Sequence, residues 1–533
     1  IPVKRAVKNG ARLIVIDSRE VELTRYSSSW LRPIPGTELL LLGGILKSIV
    51  DQGLEDSDWI QEFCEEPDTL RYALESLDLD EISKATQISV TSINEAANCF
   101  GSAEKSAIVY SLDNVIQTIQ RDCVESLVDM ALLTGNVGKS GAGLYPLRPG
   151  MNEQGAWDVG CTPTRLPGRR LLTDDQAKRD IEEYWGCILP QERGMGVIEL
   201  FEAVQNGDLK SMFIIGDMPH LDPINLSLLS KLDFLVVEDV FLTGLAEMAN
   251  VVLPRQTFTE KVGTFTNLER RIQKHDPNIG SDDAAGKSES WILAQLSKRM
   301  CVTGFDQLSE SDVMEELAVI VPDYRGISYK RLEEVRTVVD KSLPIPLLTG
   351  TSVGNIASME MPKPTQLLYS NEHIEGIQWP CTDESESSDI LYSRGFPVGK
   401  ATTITPEFKV PENILSSEYP LWYIPGRVLF QRDREITIEK EGQLNRIVRE
   451  ELVQLNSHDA LTLGVVSGDR VLVETGNGRL EGVVHLDDQI PSGSIAVTFL
   501  FGQLAVELQT SNTPNPMGLM PGLDIKAAKL IQV

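Results

Sequence analysis

The chain has 533 residues, 41% hydrophobic and 24% charged, an ordinary composition for a soluble globular protein of about three to four domains. Its 49 Lys and Arg against 78 Asp and Glu leave a net charge of -29, which argues against the basic surface that a nucleic-acid backbone requires. No apolar run approaches the roughly 18 residues that span a bilayer, and none reads as a signal peptide.

The chain opens inside a helical pattern, VKRAVKNG, with Gly10 as C-cap; a start in mid-unit predicts that further sequence precedes Ile1. ARLIVIDSRE follows as a parallel-type strand, apolar on both faces, of the kind that α/β layers cover with helices on both sides. It ends in Asp17, Ser18 and Arg19, at the carboxyl end of a strand, where open α/β sheets place ligands. In LRPIPGTELLLLGGILKSIVDQG a Pro-Gly turn leads, with Thr37 as N-cap, into a long apolar helix. Amphipathic helices fill 57–104, KSAIVYSL is a buried strand, and VESLVDMALLTGNVGKSGAGL is a helix ending in a glycine-rich loop.

LYPLRPGMNEQGAWDVG then sets Arg148 among prolines, glycines and amides, a loop composition and a common place for chemistry. A second α/β unit begins near residue 195: one strand closes on Gly216 and Asp217, another on Glu238 and Asp239, and GTFTNLERRIQK follows as a compact polar loop. Two similar units predict two equivalent ligand sites. From about 340 to 415 the chain is irregular, Pro-rich and acidic, a long connection that packing on other parts could order. The last part alternates short Val-rich strands with SGD, TGNG and PSG turns, which predicts a small β-barrel. The expected organisation is an α/β domain over 1–148, a second over 149–345, an irregular connection over 346–415 and a C-terminal β-barrel over 416–533. The seven cysteines form no C-x-x-C pair, so the expectation is reduced, buried thiols in a cytoplasmic enzyme and no metal ligands among these residues.

Taken in order, IDSR, PGTELLLL, LTGNVGKSGAGLYPLR, NEQGAWDVG, LPGRR, VVEDVFLTGLAEMANVVLP, GTFTNLERRIQ, GIQWPC and the β-rich ending resemble the molybdopterin oxidoreductases, in particular formate dehydrogenase α subunits. The resemblance implies two doubly wound α/β domains that bind pterin guanine dinucleotides, and a bis-molybdopterin guanine dinucleotide cofactor with Mo or W in the intact protein. It places a 4Fe-4S cluster and the metal-ligating Cys or selenocysteine in sequence that these residues do not include, so this chain alone is expected to be inactive. By resemblance Asp17, Arg19, Gly36 and Glu38 meet one guanosine, and Gly216, Asp217, Asp239 and Thr243 meet the other. A carboxylate accepts two hydrogen bonds from guanine N1 and N2; the alternative is that Asp17 only caps its turn.

Asn152, Gln154, Thr266, Asn267, Gly426, Arg427 and Lys526 complete the implied cofactor set. Glu269 and Arg270 are either ligand contacts or a structural ion pair, and Lys526 is open to reading as a solvated surface Lys. Arg148 stands where the family's substrate Arg stands, and its planar fork suits the carboxylate of formate or another small oxo acid. Departures from the family pattern fall at Glu38 for Asp, Met218 for Asn, Gly150 for Gln and Pro425 for Thr. The implied partner is an iron-sulfur electron-transfer subunit, with no nucleic acid and no membrane span. A second reading is a metal-free structural or electron-transfer subunit like the large subunit of NADH-quinone oxidoreductase, and a third is a binding module.

Overall fold

A computed structural model of the chain describes residues 2–112, 115–147, 152–216, 227–277, 286–305, 309–333, 376–384, 390–397, 399–409, 414–424, 427–428, 452–476, 478–497, 499–500, 510–514, 521–523 and 525–533. The chain divides into two compact units, each discontinuous in sequence. Ile1–Leu147, Met195–Leu253 and Ile390–Val533 form the first; Arg148–Gly194 and Pro254–Asp389 form the second.

The first unit is built on the helix Glu38–Asp51, whose Leu-rich sequence is apolar nearly all round. Helices with that pattern belong inside, and this one is enclosed by Val90–Gly101, Gln117–Leu133, Asp68–Glu75 and Leu79–Thr86. Thr37 occupies the N-cap position but does not cap: its hydroxyl donates to Ile34 O (2.7 Å). Glu38 Oε2 reaches back to accept from Gly36 N, ahead of the helix, at 2.8 Å. Gly36 has φ +91°, and a Cβ there would stand 2.6 Å from Ile116 Cδ1, so both the backbone and the space exclude a side chain.

Short parallel pairs lie beside this helical layer: Ile14–Ile16 with Ser29–Leu31, and Ala107–Tyr110 with Gly143–Pro146. Ser211–Ile215 and Phe234–Asp239 are also parallel, within a three-stranded sheet completed by Val251–Pro254. The expectation of strands buried on both faces is met only in part. Ile16, Val109 and Ile215 are exposed, because among the described residues these strands have few neighbours and one face stays open.

The C-terminal barrel is closed by six strands in the order Leu421–Ile424, Ser494–Val497, Leu452–Leu455, Gly478–Leu486, Arg470–Thr475 and Lys526–Gln532. Alternate residues point inward, so Tyr423, Val453, Leu455, Val471, Val473 and Ile495 form one apolar core. The SGD and PSG turns supply Gly468 and Gly493 at positive φ.

In the second unit the short helix Glu153–Asp158 meets the hairpin of Gly263–Thr266 and Ile272–His275. Helices Asp175–Trp185, Glu289–Arg299 and Glu310–Ile320 belong to the same unit. Gly376 to Glu384 runs along it as irregular chain, and Ile272 N donates to Ile377 O (2.9 Å).

All seven cysteines are free, but only Cys64, Cys123 and Cys381 are buried. Cys161, Cys187 and Cys301 are exposed, against expectation, because each follows the end of a helix rather than lying on its inner face. Among the described residues no helix is long and apolar enough to cross a membrane, and no group of His, Cys, Asp and Glu could hold a metal ion.

Candidate functional site

The strand Ile14–Ile16 delivers Asp17, Ser18 and Arg19 to a tightly held turn. Asp17 N donates to Leu31 O (3.2 Å), and Trp30 Nε1 donates to Asp17 O (2.9 Å). Asp17 Oδ1 accepts from Arg19 N (2.9 Å), so the turn-capping role expected of Asp17 is present. A barrel loop holds the turn from its far side: Arg32 donates to both Ser18 O (3.0 Å) and Gln489 O (3.1 Å). Within this rigid frame Ser18 Oγ and Arg19 Nε are buried and have no hydrogen-bond partner. Two buried donors left open cost free energy unless a ligand meets them, about 1–3 kcal/mol each.

Glu38 lies close enough for its charge and that of Asp17 to oppose each other. Burial is the larger cause and pushes the Glu38 carboxyl up to about 8, while the amides of Glu38 and Gly36 pull the other way. Burial likewise raises Asp17, opposed by the Arg19 amide and guanidinium. The fold thus gathers Asp17, Arg19, Gly36 and Glu38, with Glu38 partly engaged by its own helix terminus.

A second polar group closes the strands Ser211–Ile215 and Phe234–Asp239. Gly216, at φ +93°, donates its N–H to Glu238 O (2.8 Å). Glu238 and Asp239 are both buried, and Asp239 Oδ1 accepts from Val240 N (2.6 Å). Thr243 is fully buried and caps the helix Gly244–Glu247 by accepting from Ala246 N (3.2 Å). Arg148, Asp217 and Gly426 lie outside the described residues. Arg427 is placed only as backbone, paired in parallel with Phe499, and Lys526 is half-buried on the last barrel strand, opposite Tyr423.

In the second unit the implied cofactor residues bind protein atoms. Asn152 Oδ1 accepts from Thr266 N (2.9 Å), joining the Glu153 helix to the hairpin, and Asn267 Oδ1 accepts from Glu269 N and Arg271 N (2.9 Å each). Glu269 meets Arg271 at 4.0 Å rather than Arg270, whose guanidinium donates to Trp379 O. Adjacent side chains on an irregular turn diverge, and that is what separates the expected pair.

Sequence reasoning gave no role to Asp158, and it assigned Gln154, which here bonds Asp158, to the implied cofactor set. The Asp158 carboxylate accepts from Gln154 Nε2 (2.7 Å) and Tyr324 Oη (3.2 Å) and meets Arg169 Nε at 3.5 Å. Burial lifts it to about 6, against the pull of Arg169, Gln154 and Tyr324. The Arg169 guanidinium also lies 3.8 Å from the centre of the Trp379 ring. The pieces NEQGAWDVG, LPGRR and GIQWPC therefore meet in one cluster, which only their co-occurrence in the sequence hinted at.

An α/β layer with two acidic strand ends and a closed barrel defines a class that comparison with known proteins names. Residues 2–299 match the family Molybdopterin oxidoreductase, and residues 421–522 match the Molydopterin dinucleotide binding domain. The chain belongs to the molybdopterin oxidoreductase family, and the second match makes a molybdopterin its class of cofactor.

Among individual relatives, it is 28% identical over 540 residues to the F420-dependent formate dehydrogenase subunit alpha of Methanocaldococcus jannaschii, spanning 100% of this chain and 74% of that protein. It is 26% identical over 549 residues to the assimilatory nitrate reductase catalytic subunit of Bacillus subtilis, spanning 99% and 71%. The acetylene hydratase structure from Pelobacter acetylenicus shares the fold, with a TM-score of 0.66 at 17% identity over 100% of this chain and 75% of that one. The open donors of Ser18 and Arg19 beside the Asp17 carboxylate fit the polar end of a dinucleotide.

Proposed function

We propose that this chain is the C-terminal part of a formate dehydrogenase-like catalytic subunit, which in the intact protein oxidises formate to CO2, releasing one proton and two electrons. The observation that carries the cofactor half of this reading is the pair of unmet buried donors, Ser18 Oγ and Arg19 Nε, beside Asp17. Asp17, Arg19, Gly36 and Glu38 hold one guanosine; Gly216, Asp217, Asp239 and Thr243 hold the other. Asn152, Gln154, Thr266 and Asn267 shape the loops around the cofactor, and Gly426, Arg427 and Lys526 act from the barrel.

When bound, the Mo or W centre on the two pterins supplies the two-electron redox chemistry. The chain's own task at the substrate is Arg148, whose fork takes the formate carboxylate as a two-point contact and stays charged at any working pH. Orientation of that kind supplies several kcal/mol of barrier reduction. The likeness to formate dehydrogenases over the full chain supports this substrate. The partner proposed with it is an iron-sulfur electron-transfer subunit, and a 4Fe-4S cluster would be held by the remainder of the intact subunit.

Guanine released on acid denaturation of the intact subunit tests the reading. Two GMP per chain are expected, and one from Arg19→Ala, because only the first site loses its donor. No GMP at all would replace the enzyme by the metal-free subunit.

A further inference from the structure

The stretch 399–409 has no helix and no regular strand, yet it is fastened across the helices Ser57–Phe63 and Gln117–Leu133 of the first unit. Ala401 N donates to Phe63 O and Glu65 N donates to Ala401 O, both at 2.8 Å. Lys400 Nζ donates to Gln61 O (2.6 Å) and Thr402 Oγ1 to Glu65 Oε2 (3.1 Å). Further along, the Phe408 ring lies over Gly43, where a Cβ would come within 2.6 Å of Phe408 Cδ1.

Beneath this strap sits Asp129, on the inner face of the Gln117 helix and fully buried. Its Oδ1 accepts from Ile404 N (3.0 Å), and its Oδ2 is buried with no hydrogen-bond partner. An ionised carboxylate with one oxygen unmet in a low-dielectric interior is costly, whereas the neutral acid costs far less. We propose that Asp129 makes docking of the 399–409 strap pH-dependent, the strap being held while the buried carboxyl carries a proton and loosening when the proton leaves.

The Ile404 amide compensates one oxygen of the anion, and the other oxygen is left unmet. Glu125, on the same helix, opposes ionisation, and Asp122 and Glu407 add further negative charge along the helix and the strap. Cys64, at the end of the Ser57 helix, faces Asp129 as a buried thiol and feels both its charge and that of Lys400, whose ammonium is bonded to Gln61 O. Burial is the first cause of the shift of Asp129 to about 7, Glu125 adds to it, and the Ile404 amide opposes it.

With the strap lifted, Asp129 meets water and titrates near the usual value of about 4. The docked state therefore holds the extra proton between about pH 4 and the docked value of about 7. Docking weakens as pH rises through that window and is constant above it. The lever is the protonation of one side chain, so it acts whether or not a cofactor is bound.

Hydrogen exchange of the full chain, corrected for intrinsic rates, reads the opening of peptide 399–409 directly, with the barrel strand Arg470–Thr475 as internal reference. Between about pH 5.5 and about pH 7.5 the opening equilibrium should rise on the order of tenfold or more while the reference stays flat. Asp129→Asn keeps an acceptor for Ile404 N without a charge, so its strap should be protected equally at both pH values. Glu125→Gln should move the midpoint to lower pH and keep the transition. A pH-independent strap in the wild type, or a pH dependence that survives in Asp129→Asn, overturns the proposal. Should Asp129→Asn lose the reference protection and so prove unfolded, Glu125→Gln decides, and an unmoved midpoint counts against the proposal.

Discussion

Arg19 and Arg148 are proposed for different work. Arg19 presents a buried Nε with nothing to bond, beside a carboxylate that already holds the Arg19 backbone amide. A Lys there would keep the charge and lose the donor at that depth, so Arg19→Lys should release close to one GMP per chain rather than two. The role proposed for Arg148 rests on its place in the sequence and the chemistry of its fork. Arg148→Lys should lower kcat/KM by two or more orders of magnitude, about 3 kcal/mol, with guanine and metal content unchanged, since a bidentate contact becomes a single-point one. Near-normal kinetics with a shifted melting temperature would instead make Arg148 a loop residue paired with an acid such as Glu153.

At the level of elements, the helix Glu153–Asp158 is locked at both ends, by Asn152 on Thr266 N and by Asp158 on Tyr324 and Arg169. Gly155 lets the Asn152 side chain fold over the helix, because a Cβ there would overlap Asn152 Oδ1. Gly155→Ala should therefore cost about 1–3 kcal/mol in an unfolding titration of the second unit, despite the better helix propensity of Ala. An unchanged or raised stability would show that Asn152 can move away at no cost. The barrel was legible in the sequence because alternation and glycine turns are local signals, and Val471, Val473 and Gly468 take the places that pattern assigns. The polar strand ends at Asp17 and Asp239 were legible for the same reason. The Asp158 cluster and the strap were not, since Tyr324 lies 166 residues from Asp158 and Ile404 lies 275 from Asp129, and no local period encodes such pairs. Thr37 takes the N-cap position the sequence assigns, but its hydroxyl bonds back to Ile34 O instead of capping, a local alternative open to any Thr.

Across the whole molecule, three buried carboxyls pull the pH dependence of stability one way: Glu38 at about 8, Asp129 at about 7 and Asp158 at about 6, each raised first by burial. Each binds more protons folded than unfolded between about pH 4 and its own raised value, so unfolding free energy falls as pH rises through that range. The carboxyls lowered by hydrogen bonds or ion pairs, Glu22, Asp312, Glu474 and Asp488, act in the opposite sense; Glu22, Asp312 and Asp488 are solvent-exposed and screened, while Glu474 is buried against Lys529 and Arg479. The cofactor-free chain should therefore melt several degrees higher near about pH 5.5 than near about pH 8 in a scanning calorimeter. The net charge of -29 predicts the same direction, because acid also relieves self-repulsion. Salt separates the two causes: raising ionic strength from about 0.1 M to about 1 M shortens the screening length from about 10 Å to about 3 Å and suppresses long-range repulsion, while buried ionisation is little screened. If the buried carboxyls dominate, most of the pH difference survives in high salt and shrinks in Glu38→Gln, whose neutral side chain cannot titrate. A difference abolished by salt and untouched by Glu38→Gln would assign it to the acidic surface instead.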